Sequence, residues 1–280
     1  MRLPEWLKTK DRADLHPTKQ LLRQHGLTTV CEEARCPNRG ACFAKPTAAF
    51  MILGSRCTRN CGFCAVTSAA PAAVDSDEPK KVAEASAEMG LRYVVITSVT
   101  RDDLSDGGAG HFAETVLAVR RRLPGAKIEV LTPDFRGDAA ALATVLGSRP
   151  DVFNHNIETA ERLYGTVRPG ADYRRSLHLL EQAKRIAPAI SAKSGFMLGL
   201  GERPEEVHQL LLDLRSSGCD IVTIGQYLRP TRNNLPVVEY VKPEIFEELR
   251  TAALGMGFHY VASGPLVRSS MNAEEMYAHV

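Results

Sequence analysis

The chain lacks any run of 18 apolar residues, the length a helix needs to cross a bilayer, so its sequence offers no helical membrane span. The first 30 residues lack a continuous apolar stretch too, being interrupted by Arg2, Glu5, Lys8, Lys10, Asp11 and Arg12. They do not read as a secretory signal, and the cytoplasm is the expected compartment. An excess of one charge is also missing. Thirty-five Lys and Arg against 33 Asp and Glu leave a formal net charge of +2, which gives no general argument for nucleic-acid binding. The basic groups at 120–122 and 174–175 read as solvated helix faces. Neither a nucleic acid nor a membrane is therefore an expected partner. No glycine-rich dinucleotide fingerprint follows the first predicted strand, which weakens an open doubly wound sheet as the fold. Finally, most of the chain lacks cysteine. Six of the seven cysteines fall between Cys31 and Cys64, and the seventh is Cys219. A disulfide framework suits a small secreted chain, so metal binding is the better account of this cluster.

What remains is ordinary for a soluble α/β protein of 280 residues, with 44% hydrophobic and 24% charged residues. Strands are predicted at 50–53, 93–97, 127–131, 152–154, 192–197, 221–224 and 259–262. Their apolar character is continuous rather than alternating, as in parallel strands covered on both faces. Helices are predicted at 80–89, 112–123, 172–186, 204–217 and 244–254, with Pro204 opening one and Gly218 standing beyond its end. Strand followed by helix about six times implies a parallel sheet that curls toward a barrel. In such a sheet ligand groups sit at the C-terminal strand ends. Polar residues occur there: Thr97 and Ser98, Thr132, Asn154 to Asn156, Glu202, and Gln226 with Tyr227. The acidic loop 101–108 is expected to be mobile, 1–30 to form short helices wrapped on a larger body, and 31–46 to be a ligand-bearing loop.

The first core strand runs into Cys57-Thr-Arg-Asn-Cys61-Gly-Phe-Cys64. A [4Fe–4S] cluster takes four ligands and this motif supplies three, which leaves one iron open to an exogenous group. Zinc is the alternative, but no fourth Cys or His stands nearby to close a structural site. The second triad, Cys31-x4-Cys36-x5-Cys42, lacks an adjacent fourth cysteine as well. Cys219 precedes a core strand and reads as a small buried hydrophobe. The second site thus needs a non-cysteine ligand, and an oxygen on iron is more easily displaced than a thiolate.

Cys57-x3-Cys61-x2-Cys64, with Phe63 before the last cysteine, resembles the radical S-adenosylmethionine superfamily. Together with the Cys31, Cys36 and Cys42 triad it resembles, more narrowly, the lipoyl synthase family. The likeness extends through Thr97-Ser-Val-Thr-Arg-Asp-Asp103, Asp106-Gly-Gly108, Phe153-Asn-His-Asn156, Val167-Arg-Pro-Gly170, Lys193-Ser-Gly195, Gly225-Gln-Tyr227 and Gly264-Pro-Leu-Val-Arg-Ser-Ser270. The resemblance implies a partial parallel (β/α)6 barrel at 49–262. It also implies an extension at 1–48 carrying the auxiliary-cluster cysteines and a segment at 263–280 supplying a serine ligand.

By the same resemblance, Cys57, Cys61 and Cys64 hold a [4Fe–4S] cluster whose open iron takes S-adenosylmethionine. Cys31, Cys36, Cys42 and Ser270 hold a second [4Fe–4S] cluster, with Ser269 as the less favoured hydroxyl. The family usually has tyrosine where this chain has Met271, which leaves open what the missing phenol contacts. The implied reaction inserts sulfur at C6 and C8 of an octanoyl group amide-linked to a carrier lysine. It consumes two S-adenosylmethionine molecules and takes sulfur from the auxiliary cluster. Implied partners are octanoylated lipoyl domains of 2-oxoacid dehydrogenases, the glycine-cleavage H protein, a flavodoxin or ferredoxin as electron donor, and an iron–sulfur carrier for cluster repair.

Phe63, Asn154, Asn156, Lys193, Gly199, Glu202 and Arg229 are further candidates for cofactor contact. For the asparagines the alternative is turn capping, for Gly199, Gly201 and Glu202 a tight strand–helix loop, and for Lys193 and Arg229 a surface position. Glu158 reads as a helix start and His155 as a site-lining or core histidine, while Lys8, Lys10 and Arg12 either cover the auxiliary site, meet an acidic carrier or are solvated. Competing classes are another radical sulfur inserter, such as a biotin-synthase-like enzyme or a methylthiotransferase, an electron-transfer module with closed clusters, and a zinc-binding interaction protein.

Overall fold

The computed structural model describes residues 2–8, 16–44 and 49–277; Lys10, Arg12 and Pro46 lie outside the described residues. The chain divides into two compact units, one of residues 10–59 and 66–153, the other of 1–9, 60–65 and 154–280.

The first unit opens with α1 (His16–Gln24), which ends before Gly26 at φ +65°, and the short strand β1 (Thr28–Thr29) follows. A glycine in the left-handed region is a common helix stop, because no Cβ opposes that conformation. The segment expected as a ligand-bearing loop is instead built as two short helices, α2 (Val30–Glu33) and α3 (Arg39–Ala44). Thr29 caps α2 by accepting from Glu32 N at 3.4 Å. Helices this short leave no periodicity for a sequence window to detect.

Next come β2 (Ala49–Ile52), β3 (Arg56–Cys57), β4 (Thr67–Ser68), α4 (Glu78–Glu88), β5 (Tyr93–Ser98), α5 (Ala109–Arg122), β6 (Lys127–Leu131), α6 (Ala139–Gly147) and β7 (Val152–Asn154). β2 pairs parallel with β5, and β5 with β6, while β1 lies antiparallel on β2. Every residue of β2 is buried, as its uninterrupted apolarity requires. α5 buries Phe112, Val116 and Val119, spaced along one helical face. α6 is not among the predicted helices. Asp138 starts it by accepting from Ala140 N at 2.8 Å, and its buried stripe is Leu142, Val145 and Leu146.

The second unit holds α7 (Tyr164–Val167), α8 (Tyr173–Ile186), β8 (Ser191–Leu198), α9 (Pro204–Ser216), β9 (Ile221–Gln226), α10 (Pro243–Gly255), β10 (Tyr260–Ser263) and α11 (Ala273–Tyr277). β8, β9 and β10 are parallel neighbours in register Lys193↔Ile221 and Tyr260↔Ile221. Both units therefore repeat strand, helix, parallel strand, the architecture read from the sequence. β7 crosses the division, with Asn154 in the second unit. Glu158 starts no helix: it sits at φ +67° in a bridge to Phe196.

The acidic loop 101–108 is tied down rather than loose, because its charges find local partners. Arg101 donates to Asp103 at 2.9 and 2.8 Å and to Leu53 O at 3.3 Å. Asp106 accepts from Gly108 N at 2.9 Å and Gly110 N at 2.8 Å. Among the described residues no helix is long and apolar enough to cross a membrane.

Candidate iron–sulfur and cofactor sites

Cys57 lies on β3, whose partner β4 places Ser68 opposite it. Its Sγ accepts from two backbone donors, Arg59 N at 3.4 Å and Thr100 N at 3.3 Å. Two N–H groups aimed at one sulfur are the hydrogen-bonding surroundings expected of a metal-ligating cysteine. The donors are themselves fixed. Thr58 donates through its backbone N and its hydroxyl to Thr100 O, each at 3.0 Å, and its hydroxyl accepts from Asp102 N at 3.1 Å. Arg59 is buried, with Nε and Nη2 on Asp102 at 2.7 and 2.9 Å and Nη2 also on Asp134 at 2.7 Å. At the C-terminal end of β5 the buried hydroxyl oxygen of Ser98 has no hydrogen-bond partner among the described residues.

Cys61 and Cys64 belong to the second unit. Cys64 N donates to Cys61 O at 3.1 Å, Gly62 N to Val167 O at 2.9 Å, and Leu235 N to Gly62 O at 2.9 Å. Asn234 Nδ2 donates to Cys64 O at 2.7 Å, and Thr231 orients that amide through Asn234 Oδ1 at 2.6 Å. A Cβ on Gly62 would stand 2.7 Å from Leu235 Cδ1, so a larger residue there would have to push that leucine aside. Phe63 packs on Val167, Leu200 and Tyr227, a side-chain support rather than an exposed platform. Asn234 and Leu235 escape the sequence reading because nothing in a loop of that composition marks a partner 170 residues away.

In the remaining triad Cys31 lies on α2, Cys42 on α3 and Cys36 between the two helices. Cys36 N donates to Cys31 O at 3.1 Å and Cys42 N to Asn38 O at 3.0 Å. Burial pushes the Cys31 thiol up to about 12, the nearby Cys36 and Cys42 push the same way, and a backbone hydrogen bond from Ala49 opposes them. All seven cysteines are free of disulfides. Cys219 is fully buried and donates to Ile221 O at 3.2 Å, in keeping with a small core residue. Among the described residues no three His, Cys, Asp or Glu side chains converge as ligands of a single metal ion do. A cubane receives each thiolate on a different iron. Two groups of three soft sulfur donors, one sulfur already furnished with N–H donors, match that chemistry.

At the strand ends, Asn154 is fully buried and its Nδ2 donates to Ser269 Oγ at 2.9 Å. Ser269 Oγ in turn donates to Asn156 Oδ1 at 3.0 Å. Ser270 follows in a half-buried turn, and its hydroxyl has no hydrogen-bond partner among the described residues. Lys193 is buried within β8. Glu202 closes the loop after β8, accepting from Leu200 N at 2.9 Å and from Gly199 N. Gly199 has φ +99°, and a Cβ there would meet Gln226 Nε2 at 2.2 Å. Arg229 is exposed and donates to Asn234 O at 2.8 Å and to Arg232 O. His155 is a satisfied core residue, its Nε2 3.0 Å from Ser176 Oγ. Arg168, which the sequence reading left without a role, is buried and reaches Asn156 O at 2.9 Å and the Tyr164 hydroxyl at 3.0 Å. The Glu158 carboxyl is held above its ordinary range by burial, with Arg168 and Asn156 opposing.

Residues 51–214 match the family described as the radical SAM superfamily. A lipoyl synthase of Caldanaerobacter subterraneus subsp. tengcongensis is 54% identical over 98% of this chain and 96% of its own length. Lipoyl synthases of Rubrobacter xylanophilus and Klebsiella pneumoniae subsp. pneumoniae are 55% and 53% identical, covering 97% and 98% of this chain and 85% and 87% of theirs. Among solved structures, methylornithine synthase is similar with a TM-score of 0.57 at 17% identity, over 90% of this chain and 83% of that one. Coproporphyrinogen III oxidase from Escherichia coli, titled a radical SAM enzyme, gives 0.53 at 14% identity, over 73% and 51%. At such identities the structural likeness concerns the fold alone, the α/β partial barrel expected from the sequence.

Proposed function

The chain belongs to the radical SAM superfamily and, within it, to the lipoyl synthase family, and from that premise we propose how its residues divide the work of inserting two sulfur atoms into a carrier-bound octanoyl group. Lipoyl synthases are radical sulfurtransferases acting on lipoyl carrier proteins. When bound, a reduced [4Fe–4S] cluster supplies the electron that cleaves S-adenosylmethionine to methionine and a 5′-deoxyadenosyl radical. An alkyl C–H bond is too inert for general acid–base groups, so the chain's own residues bind, orient and exclude water.

Cys57, Cys61 and Cys64 hold the cluster that leaves one iron open, which the family resemblance assigns to the amino and carboxylate groups of S-adenosylmethionine. The observation that carries this assignment is the Cys57 sulfur with its two backbone donors. Phe63 and Asn234 fix the turn bearing the other two cysteines. Asn154, Asn156, Gly199 and Glu202 contribute at the strand ends, where a barrel of this kind collects ligand groups, and Lys193 contributes from within β8. Arg229 is the weakest of the proposed contacts, since it is exposed and already spent on loop carbonyls.

A second [4Fe–4S] cluster, held by Cys31, Cys36, Cys42 and Ser270, is the substrate that surrenders sulfur at C6 and C8. Supporting this are the second triad and a Ser270 hydroxyl with no hydrogen-bond partner among the described residues. Segments 1–48, 49–262 and 263–280 then serve as auxiliary-cluster extension, radical barrel and serine-bearing tail. The proposed carriers are the lipoyl domains of 2-oxoacid dehydrogenases and the glycine-cleavage H protein. A flavodoxin or ferredoxin donates electrons, an iron–sulfur carrier rebuilds the spent cluster, and the cytoplasm is the compartment.

The test is a division of phenotypes. Alanine at Cys57, Cys61 or Cys64 abolishes formation of 5′-deoxyadenosine. Alanine at Cys31, Cys36 or Cys42 spares it but yields no lipoyl product from an octanoyl-lysine peptide, read by mass spectrometry. Lipoyl product from an auxiliary-triad variant refutes the assignment.

A further inference from the structure

Arg59 stands between two proposed ligands, Cys57 and Cys61, yet its guanidinium is buried. Removing such a cation from water is costly and is offset only by well-placed partners. Here the partners are two carboxylates from separate segments. Asp102, just after β5, takes Nε and Nη2 side by side at 2.7 and 2.9 Å, and the fully buried Asp134, beyond β6, takes Nη2 at 2.7 Å. A planar fork held at three points fixes its residue's position far better than a point charge would. What is fixed is the backbone: Arg59 N lies 3.4 Å from Cys57 Sγ. The second donor on that sulfur, Thr100 N, belongs to the segment leading to Asp102, and Thr58 stitches the two together through Thr100 O and Asp102 N.

We propose that Arg59, locked by Asp102 and Asp134 and assisted by Thr58, is a positioning residue that holds two N–H donors on the Cys57 sulfur and so sets the reduction potential of the cluster ligated there. This rests on the reading of Cys57 as a cluster ligand. Hydrogen bonds to ligand sulfur stabilise the more negative, reduced cluster, so loosening them moves the potential down. Two substitutions disturb the arrangement without changing charge. Arg59→Lys keeps the cation but loses the fork, and Thr58→Val removes the hydroxyl that binds Thr100 and Asp102.

The experiment is an EPR-monitored redox titration of the anaerobically reconstituted full chain. The cluster is identified as the one whose signal changes when S-adenosylmethionine is added. Both variants are expected to shift its reduction equilibrium toward the oxidised form by about tenfold, which is about 59 mV for one electron. The other cluster keeps its potential, and Thr58→Ser restores the wild-type value. Unchanged potentials in Arg59→Lys and Thr58→Val, with only a lowered melting temperature, would overturn the proposal and leave a merely structural ion pair. If Arg59→Lys fails to fold, Thr58→Val alone decides. A responsive cluster that survives Cys57→Ala overturns both this proposal and the ligand assignment beneath it.

Discussion

Ser269 and Ser270 are adjacent hydroxyls in unlike surroundings, and the function proposed above gives them separate tasks. Ser269 accepts from Asn154 and donates to Asn156, so a metal would have to displace two hydrogen bonds to recruit it. No such bond holds Ser270 among the described residues. Ser270→Ala is therefore expected to lower cluster iron from about eight to about four per chain. Ser269→Ala should instead keep most of the iron and destabilise the fold by about 1–3 kcal/mol, the cost of removing one hydrogen-bond partner from the buried Asn154 amide. Iron assay and urea denaturation, run on both variants, separate the two roles; iron loss from Ser269→Ala alone would reverse them. The six clustered cysteines could be proposed as ligands from the sequence because soft donors at close spacing have few other uses. The asparagine partner of Ser269 was not readable, because it stands 115 residues away and hydroxyls carry no sign of what they bind.

Among the elements, the end of β9 shows how a strand terminus supports a ligand turn. Gln226 is buried and spends its whole amide on backbone. Nε2 shares its two N–H groups among Leu198 O at 3.1 Å and Tyr227 O and Glu239 O at 3.0 Å, and Oε1 accepts from Val241 N at 2.9 Å. The next residue, Tyr227, donates its hydroxyl to Leu235 O at 2.8 Å, and Leu235 N is bonded to Gly62 O in the cysteine turn. Gln226→Leu leaves several buried polar groups without this partner and should cost about 2–4 kcal/mol. A lowered urea midpoint together with faster loss of iron to a chelator is the expected outcome. Unaltered iron retention would disconnect the clamp from the turn. Polar residues at strand ends were visible in the sequence, but their use as loop clamps was not. Gln226 and Glu202 look alike on the page as ligand or clamp, and only the backbone around them decides. Likewise β2 and β5 to β10 were legible from their apolar runs, as at Tyr93–Ser98, while β1 and the β3–β4 pair, two residues per strand, were not.

At the level of the whole molecule, the two triads differ in more than spacing. In one, two backbone donors fix the Cys57 sulfur, and on the function proposed above its cluster must survive every cycle of S-adenosylmethionine cleavage. The other rests on two short helices and, by family resemblance, on one serine oxygen, a ligand more easily displaced than a thiolate. A cluster that gives up its own sulfide cannot act twice without repair, so the chain alone should make no more than one lipoyl group. Single turnover with an octanoylated carrier tests this. The expected yield is two 5′-deoxyadenosines and two inserted sulfurs per lipoyl group, with iron released from one cluster only. Iron release should accompany product and not S-adenosylmethionine cleavage, so a substrate blocked at C6 ought to give neither. Repeated turnover without added iron–sulfur carrier, at constant cluster iron, would mean that sulfur comes from elsewhere and that the second triad serves only electron transfer or structure.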